Sequence, residues 1–222
     1  MSQIKHVLPA DIERTSMAII RQELSARKIV LPPENEVVVL RAIHTTADFD
    51  YAETLTFTPD AVQKGVSDLA AGADIVTDTN MAKAGVSKAT LAKLGGGVYC
   101  YMAEEKVAVT AKADGVTRAV ASMRIAAREH PGAVYAVGNA PTALLELCAL
   151  MGNGLRPALI IGVPVGFVNV VESKELLLAA CQRYEVPAII AMGRKGGSNV
   201  AAAICNALLY TAAGTLDPVD RG

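Results

Sequence analysis

Short apolar runs alternate with longer amphipathic runs along most of the chain. The short runs have strand length and are continuously apolar, which is typical of strands buried on both faces. They predict strands at residues 74–78, 97–101, 133–138, 158–163 and 187–192. The longer runs predict helices over residues 10–25, 34–46, 59–71, 117–129, 141–151, 172–184 and 198–212.

This alternation predicts an α/β fold in which a mostly parallel sheet is covered by helices on both faces, as in a flavodoxin-like doubly wound domain. No repeat, low-complexity tract or linker interrupts the pattern. We therefore predict a single domain over residues 1–213, followed by a flexible C-terminal tail over residues 214–222.

Composition and charge narrow the classes of partner. Hydrophobic residues make up 52% of the 222 residues, which is ample for a continuous core. The net charge is −1 and the Lys and Arg residues are scattered, so no basic patch indicates nucleic acid or a membrane face as a partner. The longest apolar tract, PALIIGVPVGFVNVV, is broken by Gly and Pro and is too short to span a bilayer.

The cysteines and the N-terminal segment indicate a reducing compartment. Cys100, Cys148, Cys181 and Cys205 stand apart in apolar stretches, without the close pairing of a zinc or redox site, and we expect buried free thiols. The segment MSQIKHVLPADIER contains no continuous apolar signal region. We therefore expect a cytoplasmic protein without a bound metal.

Three glycine-rich segments follow predicted strands. They are GNAPTAL at residues 138–144, GVPVGFVNVVESK at 162–174 and GRKGGSNV at 193–200. Ligands of doubly wound sheets bind at the carboxyl ends of the strands, where these segments lie. One of them alone is best explained as a tight turn, but three at one edge predict a ligand site.

GRKGGS carries the strongest chemical signal. Gly196 and Gly197 let backbone N–H groups turn toward a ligand, and the helix that starts at Ser198 presents its positive end. Arg194 and Lys195 add two cations, so the segment predicts an anion site. It lacks the Walker A spacing, and no GxGxxG follows any strand. Carboxylates are therefore as good a ligand as phosphates.

His44 stands three residues after Arg41, so the two side chains share one face of a helix. A cation at that distance favours neutral imidazole, which can exchange a proton near neutral pH. A single histidine at a helix end is nevertheless more often a capping or solvent-facing residue, and spacing alone favours that interpretation. His6, in an N-terminal segment expected to be flexible, and His130, before a proline at a helix end, have weaker claims.

Several other positions allow two interpretations. Asp78 and Met81 follow the first predicted strand, where Asp78 either binds a ligand or caps a short helix. Thr117 is a good N-cap, and Arg118 beside it is either a ligand cation or ordinary surface. Ser16 lies in mid-helix, where its hydroxyl either meets a ligand or bonds to the preceding turn.

Taken in order, five motifs resemble the precorrin-8X methylmutases, including the cobalt-precorrin-8 methylmutases. They are SMAII, RAIHTTADFDY, GNAPTAL, GVPVGFV followed by ESK, and RKGGS followed by AAA and NAL. The resemblance runs from about residue 10 to about residue 210 and does not reach the tail TLDPVDRG.

The resemblance implies a homodimeric α/β enzyme with active sites near the subunit interface and no external cofactor. The implied reaction is an isomerisation in cobalamin biosynthesis. It moves a methyl group from C-11 to C-12 of precorrin-8X or cobalt-precorrin-8, giving hydrogenobyrinate or cobyrinate. The family's catalytic histidine falls on His44, and its substrate-contacting serine and arginine fall on Ser16 and Arg41. To these we add candidate substrate-binding residues from motif position and chemistry: Asp78, Met81, Thr117, Arg118, Asn139, Arg194, Lys195, Gly196, Gly197 and Ser198.

A flat apolar macrocycle edged by acetate and propionate groups needs an apolar slot with anion sites around its rim, and these residues supply both. Two alternatives use the same features differently: a non-catalytic tetrapyrrole carrier, and a nucleotide-dependent enzyme that lacks its phosphate fingerprint. HTTADFDY resembles the cobalt-dependent branch, but no residue is an evident cobalt ligand, so the metal content of the substrate stays open. Hand-over of product to the next pathway enzyme, and the roles of Asp48, Asp50 and Tyr51, stay open as well.

Overall fold

The computed structural model describes residues 9–221, so His6 lies outside the described residues. The strands are β1 Leu55–Phe57, β2 Ile75–Thr77, β3 Val98–Tyr99, β4 Val134–Val137, β5 Leu159–Gly162 and β6 Ala188–Ala191. The helices are α1 Pro9–Ala26, α2 Glu36–Thr46, α3 Tyr51–Thr54, α4 Ala61–Ala70, α5 Asn80–Gly85, α6 Lys88–Lys93, α7 Glu105–Asp114, α8 Arg118–Glu129, α9 Pro141–Gly152, α10 Val170–Tyr184 and α11 Ser198–Ala212. A 3-10 helix, Pro218–Arg221, follows them.

The six strands form one sheet in the order β1-β6-β5-β4-β2-β3. Neighbouring strands are parallel except for β1, which pairs antiparallel with β6. Numbered along the chain, the five parallel strands follow the 2-1-3-4-5 order of flavodoxin-like sheets. The predicted fold class is therefore confirmed.

Both faces of the sheet are buried beneath helices. Ile75, Ile161 and Ile189 belong to the core that α1, α2, α4 and α11 cover, whereas the next residues along the strands, such as Val76 and Ile190, belong to the core beneath α7 to α10. α11 packs against α2 and α4, and α9 packs against α8 and α10. Because successive strand side chains point to opposite faces, burial on both sides explains the continuous apolar runs.

Two helix boundaries near the carboxyl ends of the strands have local causes. The side chain of Thr117 caps α8 by accepting a hydrogen bond from the backbone N of Val120 at 3.3 Å. α2 ends at Thr46 because Ala47 adopts the left-handed conformation, with φ of 56°. This ending places His44 in the last turn of α2.

The pattern missed β1 and the helices α3, α6 and α7, whereas α5 lies where a short helix after Asp78 was one of two interpretations. In β1 only Leu55 is buried, so the strand leaves too short a hydrophobic signal. The predicted helix over residues 59–71 begins at Ala61 because Thr58 belongs to the sheet edge. The Thr58 Oγ1 accepts a hydrogen bond from the backbone N of Ala188 at 2.8 Å.

The C-terminal segment packs against α1. Asp217 accepts a hydrogen bond from Arg14 Nε at 2.9 Å, measured to Oδ2, and Arg221 Nη1 donates to Glu13 Oε2 at 2.8 Å. These ion pairs tie the segment to α1, and the flexibility expected for residues 214–222 stays a prediction.

Between residues 9 and 221, no helix is both long and apolar enough to cross a membrane. The four cysteines are free thiols; Cys148 is half-buried and the other three are buried, in line with the prediction. Within the same range, no three His, Cys, Asp or Glu side chains are grouped as ligands of a metal ion.

Candidate active site

His44 and Arg41 lie on the face of α2 that points away from the core. Val39, Ala42 and Ile43 are buried on the other side of this helix. His44 and Arg41 line a cavity of about 300 Å³, whose other walls come from α1, α5, α11 and the C-terminal 3-10 helix. The His44 side chain is exposed, and no hydrogen bond joins it to another of residues 9–221. Its imidazole is therefore free to meet a ligand.

Arg41 is half-buried and has a counterion. It donates a hydrogen bond to the carboxylate of Glu13 in α1, and its guanidinium carbon lies 5.3 Å from the centroid of the Tyr210 ring. The carboxylate offsets the charge that spacing placed beside His44.

Lys195 joins the GRKGGS segment to the residues that follow α2. Its Nζ lies 2.6 Å from Oδ2 of Asp48 and 2.5 Å from Oδ2 of Asp50. The hydrogen bond from Lys195 holds the pKa of Asp48 below its usual range. Two of the unassigned residues in ADFDY thus bind the predicted anion loop, and Tyr51 beside them is buried. Because Lys195 already has two carboxylate partners, it is less available to a ligand than a free cation.

Arg194 has a different environment. Its side chain is exposed, and its guanidinium carbon lies 5.6 Å from the ring centroid of Phe167 in the glycine-rich segment that follows β5. Phe167 is 84% exposed. A cation and an apolar ring therefore stand side by side at the ligand edge of the sheet.

Lys174 binds the backbone of the GRKGGS segment from its buried side, a role that the sequence did not reveal. Its side chain is fully buried, and Nζ donates to the backbone carbonyls of Gly193 at 2.7 Å and Lys195 at 2.9 Å. Burial lowers the pKa of Lys174 to about 8. The motif ESK contained this lysine, but only the fold places it under the loop.

The glycine-rich segment of residues 193–200 contacts both of the other glycine-rich segments. A Cβ on Gly196 would lie 2.1 Å from the carbonyl oxygen of Val163, and a Cβ on Gly138 would lie 2.7 Å from Cα of Ser198. Gly197 N also donates to the carbonyl of Val163 at 2.9 Å. These glycines are needed because the backbones pack closely.

Asp78 lies where the strand order reverses, between the ends of β2 and β4. It is fully buried and accepts three backbone hydrogen bonds, from Gly138 at 2.8 Å, Asn139 at 2.8 Å and Ala140 at 2.7 Å. Burial raises the pKa of Asp78, and the three donors partly offset this. Asp78 therefore shapes the loop that presents the exposed Asn139, and its own oxygens have no open path to a substrate.

Ser16 and Met81 stand apart from these contacts. The Ser16 Oγ donates to the backbone carbonyl of Ile12 at 2.8 Å, which is the bond to the preceding turn that the sequence allowed. Met81 is 71% exposed on α5. Ser198, by contrast, is tied to the loop after β2, since its Oγ lies 2.7 Å from Oγ1 of Thr79. Ligand contact by Ser16 and Met81 stays a prediction.

Thr117 and Arg118 open α8 close to the segment after β4. The Oγ1 of Thr117 lies 3.1 Å from Oγ1 of Thr142 in α9. The Arg118 side chain is exposed and makes no hydrogen bond or ion pair within residues 9–221. Its charge is therefore available at this edge.

Sequence reasoning also missed the residues on α11 that face His44. Asn199, Asn206 and Tyr210 line the same cavity. The two asparagines interrupt an otherwise apolar helix at a spacing of seven, a signal of a shared polar face. Asn206 is already bonded, because its Nδ2 donates to Gly85 O at 2.8 Å and its Oδ1 accepts from Ser87 N at 2.8 Å.

Known proteins resemble the chain over nearly its whole length. The family model for precorrin-8X methylmutase matches residues 11–211. The cobalt-precorrin-8 methylmutase of Salmonella typhimurium is 42% identical over 206 residues, which cover 91% of this chain and 95% of that protein. The precorrin-8X methylmutase of Pseudomonas aeruginosa is 40% identical over 198 residues, which cover 89% of this chain and 93% of that protein.

A solved structure agrees with the fold. The crystal structure of the precorrin-8X methylmutase from Thermus thermophilus superposes with a TM-score of 0.82 and 39% sequence identity, covering 92% of this chain and 98% of that one. The family match spans the strands, the helices and the three glycine-rich segments described above. The chain belongs to the precorrin-8X methylmutase family.

Proposed function

We propose that the protein is an isomerase of cobalamin biosynthesis that moves a methyl group from C-11 to C-12 of precorrin-8X or cobalt-precorrin-8. The product is hydrogenobyrinate or, with cobalt in the ring, cobyrinate. The observation that carries this proposal is the match over residues 11–211 to a family whose members bear these activities in their names.

The candidate site suits such a substrate. The exposed cations Arg118 and Arg194 stand at the ligand edge of the sheet, where carboxylates of the ring can reach them. Phe167 and Met81 offer apolar surface for the flat ring. The cavity beside His44 is too small for the whole macrocycle, and its volume of about 300 Å³ suits one acetate or propionate arm with the adjoining ring edge.

His44 is the proposed acid. It donates a proton to the conjugated ring, which becomes more electron-poor, and a suprafacial 1,5-sigmatropic shift then carries the methyl group from C-11 to C-12. The proton returns to His44 afterwards, so substrate and product are isomers. A positioned acid contributes roughly 10²- to 10⁴-fold to the rate. Holding the ring in one conformation supplies a further share.

The test replaces His44 by alanine and by glutamine. Both variants lack the acid, while glutamine keeps a polar side chain of similar length. We expect kcat to fall by roughly 10²- to 10⁴-fold in both, with product still bound. Conversion of purified substrate followed by absorption spectroscopy measures kcat, and undiminished turnover in both variants would remove His44 from the mechanism.

Counting turnovers separates the isomerase from the alternative, a carrier that binds the tetrapyrrole without chemistry. An enzyme converts many equivalents of substrate per protein molecule, whereas a carrier gives no more product than spontaneous rearrangement. Relatives named for the cobalt-containing substrate and a relative named for the metal-free substrate have similar sequence identity to this chain, 40% to 42%. Parallel assays with metal-free and cobalt-loaded substrate therefore decide which ring is used.

We also propose a homodimer with active sites near the subunit interface, a cytoplasmic location, and hand-over of product to the next pathway enzyme. The exposed side chains of Val165, Phe167 and Val168 support the dimer, because they form an apolar surface beside Arg194. A second subunit on this surface would enclose the apolar face of the ring.

A further inference from the structure

The C-terminal segment brings a second guanidinium into the cavity that holds His44. Arg221 lines this cavity together with Arg41, and its side chain is only 16% exposed. The segment reaches this position through the 3-10 helix Pro218–Arg221, and Arg221 Nε donates to the carbonyl of Thr215 at 2.9 Å. Arg221 is therefore part of the cavity wall.

One carboxylate holds both guanidinium groups. Arg221 Nη1 lies 2.8 Å from Oε2 of Glu13, and its Nη2 lies 2.9 Å from Oε1. Arg41 donates to the same Oε1. Although burial raises the pKa of Glu13, the hydrogen bonds from Arg221 and Arg41 lower it below its usual range, so Glu13 stays ionised.

Tyr210 fixes the two arginines from α11. The guanidinium carbon of Arg221 lies 3.9 Å from the centroid of the Tyr210 ring, and that of Arg41 lies 5.3 Å from it. Stacking on an aromatic ring orients a guanidinium and limits its motion. Both arginines are therefore held in place before any ligand arrives.

The charges of the cavity wall do not balance. Among residues 9–221, two guanidinium groups and one carboxylate line this cavity, so these three side chains together carry one net positive charge. Paired guanidiniums recognise carboxylates by charge-assisted hydrogen bonds, and groups that are already positioned lose little entropy on binding. The cavity is thus built for one carboxylate from the ligand.

Arg221 lies outside the family match, which ends at residue 211, whereas Glu13, Arg41 and Tyr210 lie within it. Resting on the proposed function, we propose that Arg221 is a substrate-binding residue. Together with Arg41 it binds one acetate or propionate carboxylate of the macrocycle and sets the ring edge beside His44. Glu13 and Tyr210 are positioning residues for the two arginines.

The test compares Arg221→Ala and Arg221→Lys with a matched control, Arg14→Ala. Arg14 also ties the C-terminal segment to α1, through Asp217 at 2.9 Å, but it does not line the cavity. KM and kcat are measured with cobalt-precorrin-8, and the Kd of cobyrinate is measured by calorimetry. We expect Arg221→Ala to raise KM and Kd by about 10-fold or more, as loss of a charge-assisted hydrogen bond does, with a smaller change in kcat. Lysine should restore part of the affinity, and Arg14→Ala should match the wild type.

Two results would overturn the proposal. One is a wild-type KM and Kd in Arg221→Ala. The other is an equal rise in KM for Arg14→Ala, which would assign the effect to docking of the segment. Melting curves identify a variant that fails to fold, in which case Arg221→Gln replaces the alanine variant. If the wild type converts neither substrate, the proposed function fails, whereas the cobyrinate Kd still tests Arg221.

Discussion

At the scale of single residues, Asp78 shows how this family member uses the point where the strand order reverses. Doubly wound sheets commonly bind a ligand in that crevice. Here a buried carboxylate of the protein accepts the N–H groups of residues 138–140 instead. Under the proposed function, carboxylates of the ligand are held instead by side-chain cations and by the segment of residues 193–198.

Replacing Asp78 by asparagine should destabilise the fold. The amide nitrogen of asparagine cannot accept a hydrogen bond, so at least one buried N–H of the loop loses its partner. We expect the free energy of unfolding to fall by about 1–3 kcal/mol, measured by urea denaturation. Asp114→Asn is the control, because the Asp114 side chain is 45% exposed and makes only a 3.4 Å contact with Arg124. Equal urea midpoints for the two variants would contradict this role of Asp78.

The sequence could not reveal the role of Asp78, since its partners are backbone groups about 60 residues away. The sequence pattern allowed Asp78 either to bind a ligand or to cap a helix. In the structure its carboxylate instead accepts hydrogen bonds from the backbone of residues 138–140. The capping role of Thr117 was predictable because its partner, Val120 N, lies within the same turn.

At the scale of elements, the GRKGGS segment is held from two sides. Lys174 of α10 binds its carbonyls from below, and Asp48 and Asp50 bind Lys195 from the end of α2. The segment is therefore linked to the residues that directly follow the helix of His44.

Burial of Lys174 should make stability depend on pH. Its pKa falls from 10.5 to about 8 on folding, so between these values the unfolded chain binds more protons than the folded one. The lysine therefore costs stability below pH 8, and this cost disappears as the pH rises toward 10.5. Relative to Lys174→Met, the wild type should gain about 2–3 kcal/mol between pH 7.5 and pH 10.

Urea denaturation of both proteins at both pH values measures this gain. The difference between the two proteins is the relevant quantity, because all other groups titrate equally in each. Lys174→Met is the matched variant, since methionine has a similar length and no charge. A difference that does not change with pH would show that the buried amine keeps an ordinary pKa.

Elements buried on two faces were the easiest to predict. β4, β5 and β6 are buried at every position, so each leaves an unbroken apolar run in the sequence. β1 is a three-residue edge strand with one neighbour, and its partner lies far along the chain. β1 exists only because it pairs with this distant strand, and the local hydrophobic pattern carries no information about that pairing.

At the scale of the whole molecule, the motifs indicated candidate site residues but not which of them contact one another. Lys195 and Asp48 are 147 residues apart, and only the complete fold brings them within 2.6 Å. Arg221 could not be found from the motifs, because the resemblance ends before the C-terminal segment. The fold supplied both the pairings and the additional arginine.

The proposed dimer gives a prediction at this scale. If the apolar surface of Val165, Phe167 and Val168 is the subunit interface, then Phe167→Asp should place a charge in it and yield a monomer. Light scattering at several protein concentrations measures the mass. Val30→Asp is the control, because Val30 is 92% exposed on the loop between α1 and α2. A monomeric wild type, or a Phe167→Asp variant with the mass of a dimer, would contradict this interface.

The antiparallel pairing of β1 with β6 has a consequence for the order of events during synthesis. Thr58 and Ala188, which bond across this edge, are 130 residues apart, and α2 packs against α11. On the ribosome, the part of the chain that carries His44 must wait for the last strand and the last long helix before it can dock. Contacts between distant segments form late, because a long loop must first close. A nascent chain therefore acquires the cavity beside His44 only after β6 and α11 have been synthesised.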